Sequence, residues 1–185
     1  MRSFIALELS DEARGELSRI TEALKEANAD VKWMRPGSVH LTLKFLGYVP
    51  EEKIGGIAER LKEIARAASS FDIVLDGIGV FPGWNYPRVL WIGVGEGRER
   101  VKNLAVQVEK AMALEGFEKE KRPFSSHLTI GRIKRAKNKD ELGRIASAIE
   151  VRPERSHISK ITLFKSDLTS KGAIYSSLAT ADFAG

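Results

Sequence analysis

The chain has 185 residues and a net charge of +5, and its 43% hydrophobic and 30% charged residues are typical of a folded globular protein. No stretch approaches the roughly 20 uninterrupted apolar residues that a membrane-spanning helix needs, and Glu8 interrupts the apolar N-terminal stretch, so we expect a cytoplasmic protein without a signal peptide. The absence of cysteine excludes disulfides, thiolate zinc sites and a cysteine nucleophile.

The first half of the chain predicts strands alternating with helices. "SFIALEL" predicts a strand, and Ser10 predicts the N-cap of a helix whose apolar stripe is Leu17, Ile20, Leu24 and Ala27. A polar turn, "VKWMRPGS", leads into a second predicted strand, "VHLTLKFL". Pro50 marks the start of a second helix, and "FDIVLDGIGVF" predicts a third strand.

The second half predicts a similar order. "RVLWIGV" predicts a strand, followed by a helix whose apolar stripe is Val101, Leu104, Val108 and Met112. "SHLTIGRI" predicts the next strand, and Asn138 predicts a helix N-cap with Glu141 at the capping-box position. "SKITLFKS" and "AIYSSLATADF" predict a closing hairpin across a turn at Thr-Ser-Lys-Gly.

The spacing of these elements indicates a duplication. Phe4 and His40 are 36 residues apart and Leu90 and His127 are 37 apart. His40 to Val74 and His127 to Ile161 are both separated by 34 residues. We therefore expect two pseudo-symmetric lobes, each a β-α-β-α-β unit. Residues 1–185 would form a single bilobed domain, with repeat units at about 2–82 and 88–170 and a C-terminal hairpin strand at about 173–183.

The tripeptide His-Leu-Thr occurs in both units, although the chain has only three histidines. Residues two apart on a strand share a face, so His40 lies beside Thr42 and His127 beside Thr129. A single histidine on a strand is more often structural than catalytic, but two copies at matched positions favour a shared site. With an unperturbed pKa near 6.5, one imidazole can act as a base while the other acts as an acid, which suits phosphodiester chemistry without a metal. His157 has no following threonine and is expected to be a surface or structural residue.

Positive charge is concentrated around the second motif. The segment from Lys119 to Lys139 contains eight lysines and arginines and one glutamate, a local net charge of +7. This segment is either a solvated charged face or a surface for a polyanion such as nucleic acid.

The motifs and their flanking segments resemble those of the two-histidine phosphoesterases, and specifically the RNA 2′,3′-cyclic phosphodiesterase family, also called 2′-5′ RNA ligases. The resemblance covers nearly the whole chain and rests on "RSFIALEL", "VKWMRPGSVHLTLKFLGYV", "GIGVFPGWNYPRVLWIGV", "FSSHLTIGRIK" and "SKITLFKSDLTSKGAIY". It implies a bilobed α+β fold, with largely antiparallel sheets facing a central cleft and helices outside. The implied activity is hydrolysis of RNA 2′,3′-cyclic phosphate ends to 2′-phosphates without a metal or other cofactor. It also implies ATP-independent 2′-5′ ligation, in which a 5′-hydroxyl replaces water.

The resemblance further implies roles for individual residues. His127 would be the proton acceptor and His40 the proton donor, with Thr42 and Thr129 holding the phosphate. Arg132 matches the family's phosphate-contacting arginine, the alternative being an ordinary surface arginine. Strict strand alternation would aim it away from His127, so a bulge at Gly131 would be needed to turn it back.

Other groups near the motifs are candidates for RNA contacts. Lys44 shares the face of His40 if alternation holds, and could reach phosphate. Phe45 and Trp33 could stack on a base, although core packing is the expectation for Phe45. Arg88 could contact RNA or support the fold.

Two other functions remain open at this point: a non-catalytic module that binds RNA ends, and a phosphoesterase acting on small cyclic nucleotides or 2′-5′ oligonucleotides. The expected partner is RNA with a 2′,3′-cyclic phosphate end, such as a tRNA fragment, and the expected assembly is a monomer with no membrane association.

Overall fold

The computed structural model describes residues 1–170 and 172–185, and within them the chain forms four α-helices and nine strands. The helices are α1 (Asp11–Lys25), α2 (Ile54–Ala67), α3 (Arg98–Leu114) and α4 (Lys139–Ala148). The strands are β1 (Arg2–Leu7), β2 (Val31–Trp33), β3 (Leu41–Tyr48), β4 (Phe71–Phe81), β5 (Val89–Val94), β6 (His127–Ile133), β7 (Arg155–Ile158), β8 (Lys160–Thr169) and β9 (Gly172–Asp182). Short 3-10 helices at Pro36–Ser38 and Glu51–Lys53 precede β3 and α2.

The strands form two sheets in which every pairing is antiparallel. A four-stranded sheet has the order β3-β1-β8-β9, and a five-stranded sheet has the order β2-β6-β5-β4-β7. The two His-Leu-Thr strands lie in different sheets, but β3 also runs close to β6. The predicted α+β class with largely antiparallel sheets is confirmed.

Each sheet draws strands from both halves of the sequence. β4, from the first half, pairs with β5 in the five-stranded sheet, while β8, from the second half, pairs with β1 in the four-stranded sheet. The first helix of each half likewise packs against elements of the other half. Helix α1 contacts α4 and β7, and helix α3 contacts β3 and α2. The strand orders β3-β1-β8 and β6-β5-β4 are therefore equivalent. In each, the motif strand lies beside the first strand of the same repeat unit, and that strand lies beside the third predicted strand of the other unit.

The exchange places one continuous hydrophobic core behind both sheets. Leu41 and Leu128, the central residues of the two motifs, are both fully buried in it, as alternation predicts. Burying a leucine side chain contributes about 1.5–3 kcal/mol, so these residues fix the two motif strands with their histidine and threonine faces turned away from the core.

Local signals at helix starts had mixed outcomes. The hydroxyl of Ser10 accepts a hydrogen bond from the amide of Ala13 at 3.2 Å, which confirms the predicted cap of α1. Asn138 occupies the predicted N-cap position of α4, but the predicted capping box does not form. Asn138 has a left-handed conformation, and its side-chain amide donates to the carbonyls of Ala27 and Asn28 instead. None of the helices in the described ranges is both long and apolar enough to cross a membrane.

The sequence patterns did not predict strands β2 and β7. β2 lies within the segment expected to be a polar turn, and its three residues pair with β6. β7 pairs with β4 along Phe71 to Val74. The predicted closing hairpin is formed by β8 and β9, which pair along their length from Lys160 with Asp182 to Thr169 with Gly172. One residue of its predicted turn, Lys171, lies outside the described residues.

Candidate active site

The two motif histidines are held in the same way. The Nδ1 atom of His40 lies 3.1 Å from the carbonyl oxygen of Ser38, and that of His127 lies 2.8 Å from the carbonyl oxygen of Ser125. A carbonyl oxygen only accepts hydrogen bonds, so Nδ1 carries the proton in both rings. The Nε2 atom is then a proton acceptor in the neutral ring and a donor in the cationic ring. No hydrogen bond joins either Nε2 to another described residue.

Aromatic side chains contact both imidazoles. The ring of His40 lies 4.5 Å from that of Phe164 and 5.5 Å from that of Tyr175, measured between centroids. Phe81 meets the ring of His127 edge-on at 5.0 Å. Burial among these groups lowers the pKa of both histidines, because a cationic ring loses hydration there.

Nearby charges modify each histidine differently. The positive charge of Arg14 further lowers the pKa of His40, while the hydrogen bond to Ser38 and the negative charge of Glu8 oppose the decrease. At His127 the hydrogen bond to Ser125 opposes the effect of burial, and the positive charge of Arg132 adds to it. Arg132 therefore favours the neutral form of His127, which is the form that accepts a proton.

A bulge changes the direction of the side chains after the first motif. Thr42 pairs with Ala6 and Lys44 pairs with Ile5, so Leu43 is an extra residue between two successive pairs. Such a bulge reverses the alternation that follows it. Lys44 consequently shares the core-facing side of the fully buried Ile5.

The prediction that Lys44 contacts phosphate from the face of His40 is therefore wrong. Its side chain is 4% exposed, and its Nζ atom donates to a carboxylate oxygen of Glu109 at 2.7 Å and to the carbonyl oxygen of Glu118 at 2.8 Å. These partners satisfy a buried cation on the helix-covered side of the sheet. Lys44 is thus a structural group that ties β3 to α3 and the segment that follows it.

The second motif is followed by a bulge at the equivalent place. Thr129 pairs with Trp91 and Gly131 pairs with Leu90, so Ile130 is the extra residue. Arg132 then pairs with Val89, on the same face as Thr129. The expected strand break exists, one residue before Gly131.

Gly131 is not the extra residue of this bulge, but its position leaves no room for a side chain. A Cβ atom at Gly131 would lie 2.6 Å from Cγ1 of Val31 and 3.3 Å from the ring of Trp33. Its lack of a side chain lets β2 pack against β6. Arg132 is exposed and makes no ion pair or side-chain hydrogen bond with any residue that the structure describes.

Phe45 lies on the sheet face that carries the motif histidine and threonine, which we call the open face of each sheet. This placement contradicts the expectation that Phe45 packs in the core. The bulge at Leu43 pairs Phe45 with Phe4, and its side chain is 71% exposed with its ring 6.0 Å from that of Phe4. The repeat offset of 87 residues aligns Phe45 with Arg132 and could have revealed this placement.

Tyr175 of β9 also lies beside His40, and no sequence signal pointed to this position. Besides its contact with His40, its ring meets that of Phe4 edge-on at 5.0 Å. Burial raises the pKa of its phenol, whereas the positive charge of Arg132 opposes the increase. Since β9 and β6 belong to different sheets, the charge of Arg132 acts on Tyr175 from the neighbouring sheet.

The remaining candidates lie as follows. Thr42 and Thr129 are half-buried, and their hydroxyls make no hydrogen bond with other described residues. Arg88 stacks on the ring of Tyr86 at 4.8 Å and donates to its hydroxyl. His157 is 62% exposed and pairs with Asp72 at 2.8 Å, as expected for a surface residue.

The side chains on the neighbouring strands β3 and β6 are of the types that acid–base chemistry on a bound anion needs, and we call the space between these strands the groove. Within the described part of the chain, they comprise two imidazoles and two hydroxyls without hydrogen bonds at Nε2 or Oγ1, and the guanidinium of Arg132 without an ion pair. No cluster of three or more histidine and carboxylate side chains able to hold a metal ion is present among the described residues.

The sequence profile of the LigT-like phosphoesterases matches the chain twice, over residues 7–91 and 92–175. The chain is 36% identical over 179 residues to an RNA 2′,3′-cyclic phosphodiesterase of Methanothermobacter thermautotrophicus, covering 96% of both chains. It is 35% identical over 185 residues to a protein of the same name from Thermotoga maritima, covering 100% of this chain and 97% of the relative.

Solved structures show the same fold. A Thermus thermophilus protein superposes with a TM-score of 0.82 at 25% identity, covering 99% of this chain and 98% of the other. Escherichia coli LigT in its apo form superposes with a TM-score of 0.77 at 22% identity, covering 100% and 98% of the two chains. The double profile match and the full-length relatives establish that this chain belongs to the LigT-like phosphoesterase family.

Proposed function

We propose that this protein hydrolyses the 2′,3′-cyclic phosphate at the end of an RNA, using His127 as the base and His40 as the acid. The observation that carries this proposal is the matched pair of imidazoles, each with Nδ1 bound to a backbone carbonyl and Nε2 free. Binding alone would not require two proton-transfer groups in equivalent positions. The names of the full-length relatives support the same substrate.

In the proposed reaction, water attacks phosphorus opposite the 3′-oxygen while Nε2 of His127 takes its proton. The bond between phosphorus and the 3′-oxygen breaks, and Nε2 of His40 gives its proton to that oxygen. The products are a 2′-phosphate and a 3′-hydroxyl. Each proton transfer of this kind contributes typically about 10²–10⁴-fold to the rate.

The remaining groups of the groove would bind the phosphate. The hydroxyls of Thr42 and Thr129 would donate to its non-bridging oxygens, and Arg132 would offset the negative charge that develops there. Phe45 would stack on the terminal base, since an exposed aromatic ring on the open face is a platform that any base can use.

We assign the base to His127, where the charge of Arg132 favours the neutral ring. The charges near His40 oppose one another, since Arg14 favours its neutral ring more strongly than Glu8 favours its cationic ring. The role of His40 as the acid therefore follows from the family resemblance. The imidazoles and the arginine supply the proton transfers and the charge that the reaction needs, so we propose that turnover requires no metal or other cofactor. With a 5′-hydroxyl in place of water, the same groups would form a 2′-5′ linkage without ATP.

We further propose that the chain acts as a cytoplasmic monomer on RNA ends such as those of tRNA fragments. Both histidines come from one chain, so a second copy is not needed to complete the site. The +7 segment around the second motif supports a polyanionic substrate.

The test uses an oligoribonucleotide ending in a 2′,3′-cyclic phosphate, incubated with excess EDTA. We expect wild-type turnover to a 2′-phosphate in the presence of the chelator, and a loss of at least about 10²-fold in His40→Ala and in His127→Ala. Near-wild-type rates in either variant would contradict the two-imidazole mechanism.

His157→Ala is the matched control, because it removes the third histidine, which lies outside the groove and pairs with Asp72. It should retain wild-type turnover. Wild-type protein that binds the RNA end without hydrolysing it would instead indicate a binding module.

A further inference from the structure

Lys32 lies directly beside Arg132 on the open face of the five-stranded sheet. The two residues are register partners in the pairing of β2 with β6, and both are exposed. Partners in an antiparallel pair point to the same face, with Cβ atoms roughly 4.5–5.5 Å apart. The cation proposed to contact the reacting phosphate therefore has a second cation next to it, on the side facing away from β5.

This arrangement is unfavourable for the free protein, because like charges directly opposite one another on a sheet repel. No carboxylate within the described residues forms an ion pair with Lys32 or Arg132. Other cations of this sheet do have partners: Arg155 on β7 forms a bidentate pair with Glu96. The repulsion between Lys32 and Arg132 would be relieved by an anion bound between or beside them.

We propose that Lys32 binds the phosphodiester adjacent to the cyclic phosphate, which makes it the residue that distinguishes an RNA end from a cyclic mononucleotide. This inference rests on the proposed function, in which Arg132 holds the terminal phosphate. A cyclic mononucleotide carries one phosphate and leaves Lys32 without a ligand. A dinucleotide brings a second phosphate, and the neighbouring lysine is placed to receive it.

A competing explanation concerns strand edges. β2 is the edge strand of its sheet, and a lysine on an edge strand discourages pairing with another chain. That explanation predicts that Lys32 has no effect on ligand binding and that its removal promotes self-association. The two explanations therefore differ in what a Lys32 variant changes.

The experiment measures the equilibrium binding of two product-like ligands to wild type and to Lys32→Gln. The ligands are adenosine 2′-phosphate, with one phosphate, and the dinucleotide ApA ending in a 2′-phosphate, with an additional phosphodiester. We expect Lys32→Gln to weaken dinucleotide binding about tenfold and to leave mononucleotide binding unchanged. The salt dependence of dinucleotide binding should also decrease, by about 0.7 in the slope of log affinity against log salt.

Lys110→Gln is the matched control, since it removes an exposed lysine on α3, and it should bind both ligands as wild type does. Lys32→Arg should retain dinucleotide affinity. Equal affinities of wild type and Lys32→Gln for the dinucleotide would overturn the proposal, whether or not the protein self-associates.

Turnover of the two corresponding cyclic phosphates separates this proposal from the proposed function. Absence of wild-type turnover on both would refute the hydrolytic function, while the binding comparison would still decide the role of Lys32. Turnover on both with unchanged dinucleotide binding in Lys32→Gln would refute only the role of Lys32.

Discussion

Phe45 on β3 and Arg132 on β6 occupy equivalent positions in two copies of one strand. They are 87 residues apart, as are the two histidines, and each follows a bulge that returns its side chain to the open face. The duplicated unit thus presents an aromatic ring in one copy and a guanidinium in the other. This difference fits a nucleotide, which needs a surface for its base and a cation for its phosphate.

Replacing Phe45 tests the base-stacking half of this relationship. Phe45→Ala should lower kcat/KM on an oligoribonucleotide cyclic phosphate by about tenfold or more, because base stacking on an aromatic ring contributes roughly 1–3 kcal/mol. Steady-state kinetics with wild type and variant would measure the change. Phe45→Trp should keep most of the activity, since it preserves the stacking surface.

Stability provides the control for this substitution. A side chain that is 71% exposed contributes little to the core, so the unfolding temperature of Phe45→Ala should be close to that of wild type. A large decrease in thermal stability together with unchanged kinetics would mean that Phe45 is a packing residue.

Arg132→Met and Lys44→Met form a second comparison, between a cation on the open face and one on the core-facing side. Arg132→Met should reduce kcat/KM by about 10²-fold, as expected for the loss of a group that stabilises charge in the transition state. Lys44→Met should leave kcat/KM unchanged, because Lys44 binds Glu109 and the Glu118 carbonyl on the other face. A strong loss of activity in Lys44→Met with intact stability would contradict this placement.

The buried ion pair between Lys44 and Glu109 predicts an order of stabilities. Glu109→Gln leaves the ammonium of Lys44, whose side chain is 4% exposed, without its charged partner. Lys44→Met removes that buried charge and keeps a similar volume. Since an unpaired buried charge is the more costly outcome, Glu109→Gln should lower the free energy of unfolding by about 3 kcal/mol and Lys44→Met by less.

Urea denaturation of both variants would measure these changes. An equal or larger loss in Lys44→Met would show that the ion pair stabilises the fold by more than an apolar contact would. In either case the kinetic parameters of Glu109→Gln should remain those of wild type, because its carboxylate lies outside the groove.

Periodicity and repetition predicted much of the fold. Apolar stripes placed α1 and α3, start signals placed α2 and α4, and the alternation around Leu41 and Leu128 placed both motif strands with the correct buried face. The repeated tripeptide identified the two histidines that donate matching hydrogen bonds to backbone carbonyls. These features depend on local sequence patterns, namely the periodicity of apolar residues within one helix or strand and the repeated motif.

The bulges and the strand exchange could not be predicted in the same way. An extra residue at Leu43 leaves the hydrophobic pattern almost unchanged but reverses the faces of Lys44 and Phe45, and it is defined only by the register with β1. The exchange of β4 and β8 between sheets also depends on long-range pairing, to which the repeat spacing is insensitive. Tyr175 reaches His40 only because β9 completes the sheet of β3.

The pH dependence of the reaction tests the role of Arg14. Its guanidinium donates to the carbonyl oxygens of Leu9 at 3.2 Å and Pro36 at 3.0 Å, which holds the segment leading to His40. Its charge also lowers the pKa of His40. If His40 is the acid, kcat/KM falls as pH rises through that pKa, because the ring loses the proton that it must donate.

Arg14→Gln and Arg14→Lys separate the charge of Arg14 from its hydrogen bonds. Arg14→Gln removes the positive charge and raises the pKa of His40, so the alkaline limb of the kcat/KM profile should move to higher pH. Arg14→Lys keeps the charge, so that limb should stay in place, while kcat decreases in both variants because the segment before His40 loses its guanidinium contacts. An alkaline limb that does not move in Arg14→Gln would show that this limb reports a group other than His40.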